Sequence, residues 1–304
     1  MKMSESAIKS MKNLPQEHIL GEGTSLCAGC GGLGVLHQIY DMLGEKTVIV
    51  NAAGCMTSLA IYPYTPFRGS WLYTAMASAA SGAQGIRDAL DMQIAQGRLP
   101  KEDDLTVVAL AGDGSSYGMG LSATSSAIER NLDFLYICYD NEGYGNTGQQ
   151  FSAATPWGAR TTTSRGGHHG KKKDLFAIWT AHHPVYAATI IGSEPLDLAR
   201  KVEKAISLRG PRLLLAMAPC PTGWGYDPQE TVEIGRLAVR CGIWPLKEFE
   251  DGALTHTRIP QPRIPVEEYL QKQSRFRHLF KPQRNAEAIA HIQADVDRYW
   301  SNVT

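Results

Sequence analysis

The sequence predicts an α/β fold: a parallel sheet with helices on both faces, followed by a C-terminal extension. Three observations carry this. Residues 106–111 (TVVALA) and 134–138 (FLYIC) are apolar without interruption, the pattern of strands buried on both faces. Each run ends in a polar, glycine-rich loop, where open α/β sheets bind ligands. Within 195–208, Leu196, Leu198, Ala199, Val202, Ala205 and Ile206 recur at helical spacing between two strand-like segments, so strand and helix alternate.

Composition sets the bounds. The chain has 304 residues, 43% hydrophobic and 20% charged, as expected for a globular protein with a large core. Thirty basic and thirty acidic residues give a formal net charge of +0, which points to neither a nucleic-acid nor a membrane partner. Residues 1–20 are mixed and polar, without the apolar core of a signal peptide, and no run approaches the ~18 apolar residues of a membrane helix. Six cysteines in a chain this long do not suggest a secreted disulfide framework, so a reducing cytoplasm is the expected compartment.

In chain order, residues 1–24 read as an N-terminal arm. Cys27-Ala-Gly-Cys30-Gly-Gly is a C-x-x-C in a glycine-rich turn, able to face two thiolates toward one metal or cluster. A strand at 47–50 leads into Asn51-Ala-Ala-Gly-Cys55. A proline- and aromatic-rich loop follows at 62–67. Residues 74–94, rich in Ala, Ser and Gly at the start, read as a buried helix suited to a subunit contact, ended by Gly97 and Pro100. Helices are expected at about 119–130 and 174–182 and a short strand at 186–190. A strand at 212–216 leads to Cys220 in a Pro-Cys-Pro turn. Residues 25–226 thus form one α/β domain. From 227 to 304 the pattern is helical and proline-rich, with helices at 228–241, 266–273 and 286–300, and reads as an arm around a partner.

The loops carry the chemistry. After the strand at 106–111 comes Gly112-Asp113-Gly114-Ser115-Ser116; after the strand at 134–138 comes YDNEGYGNTG, residues 139–148. Asp113 and Asn141 offer hard oxygens, which suit a divalent ion such as Mg2+ shared with a substrate phosphate. Gly112 and Gly114 let backbone approach a phosphate, and a helix starting near Tyr117 can aim its N-terminus at the charge. Residues 141–170 form a loop too long to be idle. Within it, His168-His169 fits a solvated loop better than a metal pair, and Lys171–Lys173 offers positive charge to an anionic partner. Cys27, Cys30, Cys55 and Cys220 make a four-thiol set; spacing alone leaves structural zinc and an iron–sulfur cluster equally open. Cys138, inside an apolar strand, and Cys241, without a companion, read as core.

The G-D-G loop paired with the Asn141 turn resembles the diphosphate-binding motif of thiamine diphosphate enzymes. The string YDNEGYGNTGQQ, with ATPWGARTTT behind it, is similar to the separate β subunit of the 2-oxoacid:ferredoxin oxidoreductases, such as pyruvate:ferredoxin oxidoreductase. The resemblance runs from about residue 21 to 227 and weakens beyond. It implies thiamine diphosphate and Mg2+, with Asp113 and Asn141 ligating the ion by side chain and Gly143 by its carbonyl. Gly112, Gly114 and Ser115 would then hold the diphosphate, and Asn146 would reach the reacting centre. It also implies a [4Fe-4S] cluster on Cys27, Cys30, Cys55 and Cys220. Further implications are an α subunit carrying the pyrimidine-binding half, γ and δ (ferredoxin-like) chains, ferredoxin as electron acceptor and coenzyme A as acyl acceptor. Pyruvate is the expected substrate, with oxalate, aryl and branched-chain 2-oxoacids as alternatives within the family. A non-oxidative thiamine enzyme subunit and a zinc-stabilised scaffold subunit are the readings from other classes.

Overall fold

The computed structural model describes residues 6–61 and 63–303; Tyr62, which opens the expected proline-rich loop, the first five residues of the arm and the last residue of the extension lie outside them. Cys30 caps helix α1 (Gly31–Leu43), which leads into β1 (Thr47–Ala52). Next come β2 (Ser70–Thr74), α2 (Ala79–Ala95), β3 (Thr106–Gly112), α3 (Leu121–Glu129) and β4 (Phe134–Asp140). After the long loop follow α4 (Leu175–Thr180), β5 (Tyr186–Ile191), α5 (Pro195–Ser207) and β6 (Pro211–Met217). The short α6 (Pro221–Trp224), α7 (Thr231–Arg240), β7 (Leu246–Glu250), β8 (Ala253–Arg258), α8 (Val266–Gln271) and α9 (Ala286–Ser301) complete the chain.

The strands form one sheet in the order β2-β1-β3-β4-β6-β5-β7-β8. β1 to β6 pair in parallel, and β7 and β8 add antiparallel. The expected parallel sheet with helices on both faces is present. Alternate residues of β4 show why its run is apolar throughout: Phe134, Tyr136 and Cys138 join one core, with α2, α3, α4, α7, α8 and α9. Leu135, Ile137 and Tyr139 join the other, with α1 and α5. Cys138 and Cys241 are fully buried in the first core, as their sequence context suggested.

Three segments differ from the sequence expectation. Helix α2 starts after Ser78, because residues 70–74 form the edge strand β2 and a turn follows, in which Ser78 N–H donates to the Ala75 carbonyl at 2.9 Å. Only one face of α2 is buried, at Ala79, Ala80, Ala83 and Arg87; the rest is exposed or half-exposed. The segment after 227 is not helical alone. It contributes the β7–β8 hairpin, whose turn residues Asp251 (φ 50) and Gly252 (φ 78) have the backbone that tight hairpins demand. Trp244, Phe249, Val266, Phe276 and Trp300 of this segment are buried in the domain's own core. The described part of the arm also lies on this chain: Arg200 Nε donates to the Ile8 carbonyl at 2.8 Å, and His18 pairs with Asp41 of α1 at 2.7 Å.

Candidate active site at the carboxyl edge of the sheet

Strand order explains how residues far apart in sequence meet. β1, β3, β4 and β6 are consecutive neighbours and all parallel, so their carboxyl ends share one edge within about 15 Å. Cys55 follows β1, Asp113 follows β3, Asn141 follows β4 and Cys220 follows β6. A cleft of about 170 Å³ at this edge is lined by Cys55, Gly112, Asp113, Gly114, Ser115, Asn141, Gly143 and Asn146. Seven predicted cofactor-loop residues and one predicted cysteine therefore face one space.

Asp113 is 2% exposed, and its Oδ2 accepts a hydrogen bond from Ser152. Burial and the neighbouring Asp140 push its carboxyl well above the usual carboxylate range. One end of the Asn141 carboxamide lies 2.8 Å from Asp113 Oδ1 and 2.7 Å from the Gly143 carbonyl oxygen. If that end is the amide nitrogen, it donates to both; if it is oxygen, three oxygens crowd together and need a cation between them. Oxygens around an octahedral Mg2+ at about 2.1 Å are about 3.0 Å apart, close to the separations found. Asp113 is the acidic group of the three, and a cation beside it would offset the burial and the Asp140 charge that oppose its ionisation, so the residues fit Mg2+. A Cβ on Gly114 would come within 2.1 Å of the Tyr144 ring, so a side chain there could be admitted only by moving that ring. Ser115 donates its hydroxyl to the Met76 carbonyl, which ties the loop to the turn after β2. Asn146 is exposed at the mouth of the cleft.

The C-x-x-C turn is held against the end of β6. Gly31 N–H donates to the Pro219 carbonyl at 3.0 Å, and Thr231 Oγ1 donates to the Gly29 carbonyl at 2.7 Å. Cys30 Sγ accepts from Leu33 N–H at 3.4 Å and Cys220 Sγ from Gly223 N–H at 3.2 Å, each sulfur capping the helix it begins. Burial, reinforced by Cys220, Cys30 and Cys27, pushes the Cys55 thiol up to about 12; burial also raises Cys30 and Cys220. Each of the four thiols thus lies close enough to the others to raise or be raised by their charge. Yet among the described residues no three of them have sulfurs within 4.8 Å of one another; only His18, His37 and Asp41 form so tight a set, and they lie at the arm. Four sulfurs on one zinc ion would be about 3.8 Å apart, given Zn–S bonds of 2.3 Å. The donor set is four thiols, which fits a thiolate-held metal ion or cluster.

Sequence reasoning missed the ionic layer beneath the cleft. Glu142 is buried beside Asn141; burial works to raise its carboxyl, but Lys172 and Arg275 hold it below its ordinary value. Lys172 lies 2.8 Å from both Asp140 and Glu142, and Arg275 lies 2.7 Å from Glu142. The Arg275 guanidinium also stacks on Trp224, 3.9 Å from the ring centroid, while Trp224 Nε1 donates to the Asn141 carbonyl at 2.8 Å. The lysine tract expected to meet an anionic partner is therefore mostly used inside the chain, since Lys173 also donates to the Tyr117 carbonyl. Only Lys171 is exposed, because the two other lysines neutralise and cap groups that burial would strand. His168 stacks on Phe151, as a structural loop residue does. The Gln149 amide was also missed: it wedges between Gly143 and Gly223, where an added Cβ would come within 2.6 and 2.2 Å of it.

Comparison with known proteins shows the family. The family described as thiamine pyrophosphate enzyme, C-terminal TPP binding domain, matches residues 52–216. A pyruvate synthase subunit PorB of Methanothermobacter thermautotrophicus is 45% identical over 293 residues, covering 93% of this chain and 96% of that protein. The Thermotoga maritima PorB is 39% identical, with 93% and 90% covered, and a ketoisovalerate oxidoreductase subunit VorB of Pyrococcus abyssi is 39% identical, with 90% of each covered. Among solved structures, the 2-oxoglutarate:ferredoxin oxidoreductase of Magnetococcus marinus shares the fold, with a TM-score of 0.56 at 20% identity, over 77% of this chain and 84% of that one. The chain belongs to the thiamine diphosphate-binding β subunits of the 2-oxoacid:ferredoxin oxidoreductase family, in the branch of the PorB and VorB subunits.

Proposed function

We propose that this chain is the β subunit of a pyruvate:ferredoxin oxidoreductase, holding thiamine diphosphate through Mg2+ and a [4Fe-4S] cluster at one sheet edge. The observation that carries the reading is the shared cleft: the oxygens of Asp113, Asn141 and Gly143 and the thiol of Cys55 line the same space. When bound, thiamine diphosphate supplies the carbanion and the electron sink for decarboxylating a 2-oxoacid. The protein's part is placement. Asp113, Asn141 and the Gly143 carbonyl hold the ion, Gly112, Gly114 and Ser115 flank the diphosphate, and Asn146 presents a polar group to substrate. Cys27, Cys30, Cys55 and Cys220 hold the cluster beside it, so single electrons have a short path out to ferredoxin, with coenzyme A taking the acyl group.

The chain has one sheet among its described residues, so the pyrimidine-binding half belongs to an α subunit, with γ and δ chains completing the complex. The cleft's rim suits such a cover: Tyr73, which lines it, is 54% exposed. Pyruvate is favoured because the PorB relatives reach 45% identity. The VorB relative makes a branched-chain 2-oxoacid the second reading. The test is turnover by the complex rebuilt from this chain and its co-purifying subunits. Mg2+-dependent binding of thiamine diphosphate and ferredoxin reduction with pyruvate in preference to 3-methyl-2-oxobutanoate are expected; the reverse preference supports the second reading, and no Mg2+-dependent binding refutes both.

A further inference from the structure

We propose that the Asn141 carboxamide is a two-position link through which the cation at Asp113 sets the hydrogen bonding of the Cys55 sulfur. The inference rests on the cation and cluster sites proposed above. Three contacts define the link. One end of the amide faces Asp113 Oδ1 at 2.8 Å and the Gly143 carbonyl at 2.7 Å. The other end faces Cys55 Sγ at 3.9 Å. The Asn141 backbone is fixed, because its carbonyl accepts from Trp224 Nε1 at 2.8 Å. Gly145 closes over the amide–sulfur contact: a Cβ there would lie 2.8 Å from the amide atom and 3.4 Å from Cys55 Sγ. The remaining freedom is rotation of the amide plane, which exchanges its oxygen and nitrogen.

The two orientations answer to opposite conditions. With a cation between Asp113 and Gly143, the amide oxygen turns toward it and the N–H points at the sulfur. Without the cation, three oxygens at that corner repel; the nitrogen turns inward to donate to Asp113 and Gly143, and the oxygen faces the sulfur. A donor at a thiolate disperses its negative charge and favours the reduced cluster, whereas an oxygen there opposes it. Loading the cation therefore raises the reduction potential of the centre held by Cys55, so the acceptor is poised only when the cofactor is seated. By linkage, reduction of that centre tightens the cation site by the same factor. This role is one of positioning, distinct from ligation, because a different oxygen-bearing residue at 141 can ligate without offering an N–H to sulfur.

The experiment is a redox titration of the anaerobic holo complex followed by electron paramagnetic resonance, with Mg2+ and thiamine diphosphate present or after chelation. Wild type and Asn141→Thr are compared; threonine keeps a ligating oxygen. Both proteins feel the charge of the bound cofactor, so the difference between their shifts reads the amide alone. The expected result is a larger upward shift in wild type. Equal shifts overturn the inference. A second measurement needs no variant: with Asn side chains labelled with 15N, electron–nuclear double resonance of the reduced wild type should show a nitrogen and exchangeable-proton coupling with Mg2+ that weakens without it. A coupling indifferent to Mg2+ overturns the link. Wild type without iron, or without Mg2+ binding, overturns the underlying site reading and the inference with it, and so is told apart from failure of the link alone.

Discussion

Replacing Asp113 with asparagine should have two effects of opposite sign. Asp113 is the one charged group among the three oxygens facing the cation position, and it is 2% exposed. Removing one member of a buried charge pair typically costs about 3–5 kcal/mol. At about 1.4 kcal/mol per tenfold, that weakens Mg2+-dependent thiamine diphosphate binding by about two to three and a half orders of magnitude. The cation-free protein should respond the other way. Burial and Asp140 already strain the Asp113 carboxylate, and an amide removes the charge while still reaching Ser152 and Asn141. Relief of an incompletely compensated buried group is worth about 1–3 kcal/mol. Calorimetric titration measures the first effect and denaturant unfolding in chelator the second. Undiminished affinity, or a cation-free variant less stable than wild type, would contradict the role given to Asp113.

Four further outcomes follow from other contacts. Gly114→Ala places a methyl within 2.1 Å of the Tyr144 ring and should cost about 1–3 kcal/mol while loosening cofactor binding, read by unfolding and titration. Arg275→Ala leaves Glu142 with Lys172 alone and bares the Trp224 face; a loss of about 3–5 kcal/mol is expected, and a thermal midpoint equal to wild type would discount the ionic layer. The Asp104 carboxyl is raised by burial but held below its ordinary value of 3.8 by Arg87, so its contribution is present above that pH and lost as pH falls through the lowered value. Asp104→Asn should therefore flatten the stability profile below about pH 4, while an unchanged acid limb would contradict the pairing. Cys55→Ser should lose iron, and Cys138→Ser and Cys241→Ser should keep it, since the latter two are fully buried in the core.

The sheet was legible where burial leaves a simple trace. β3 and β4 are covered on both faces, so residues 107–111 and 134–138 run apolar without a break, and the polar ends that follow stand out. β2 has no such trace: it is an edge strand with Leu72 and Tyr73 exposed, behind a proline-rich loop. Helix α1 was hidden by Gly31, Gly32 and Gly34, which helical patterning discounts, although its apolar face (Val35, Leu36, Ile39, Tyr40) is regular. The β7–β8 hairpin did leave a signal, Asp251-Gly252 between alternating segments, and that signal went unread among the prolines. At the site, the loop residues could be named from type and spacing. The layer of Glu142, Lys172 and Arg275 could not, because a lysine within Lys171-Lys172-Lys173 looks solvated until the fold supplies two buried carboxylates.

The proposed function requires an oxidative thiamine site and a redox cluster to share one edge of this sheet. The most direct measurement is the metal and sulfide content of anaerobically prepared chain, with its electron paramagnetic resonance spectrum after reduction. The four thiols of Cys27, Cys30, Cys55 and Cys220 should hold about four irons and four sulfides per chain, as a [4Fe-4S] cluster requires, and give a signal on reduction. Stoichiometric zinc, no iron and no reducible signal would contradict the claim.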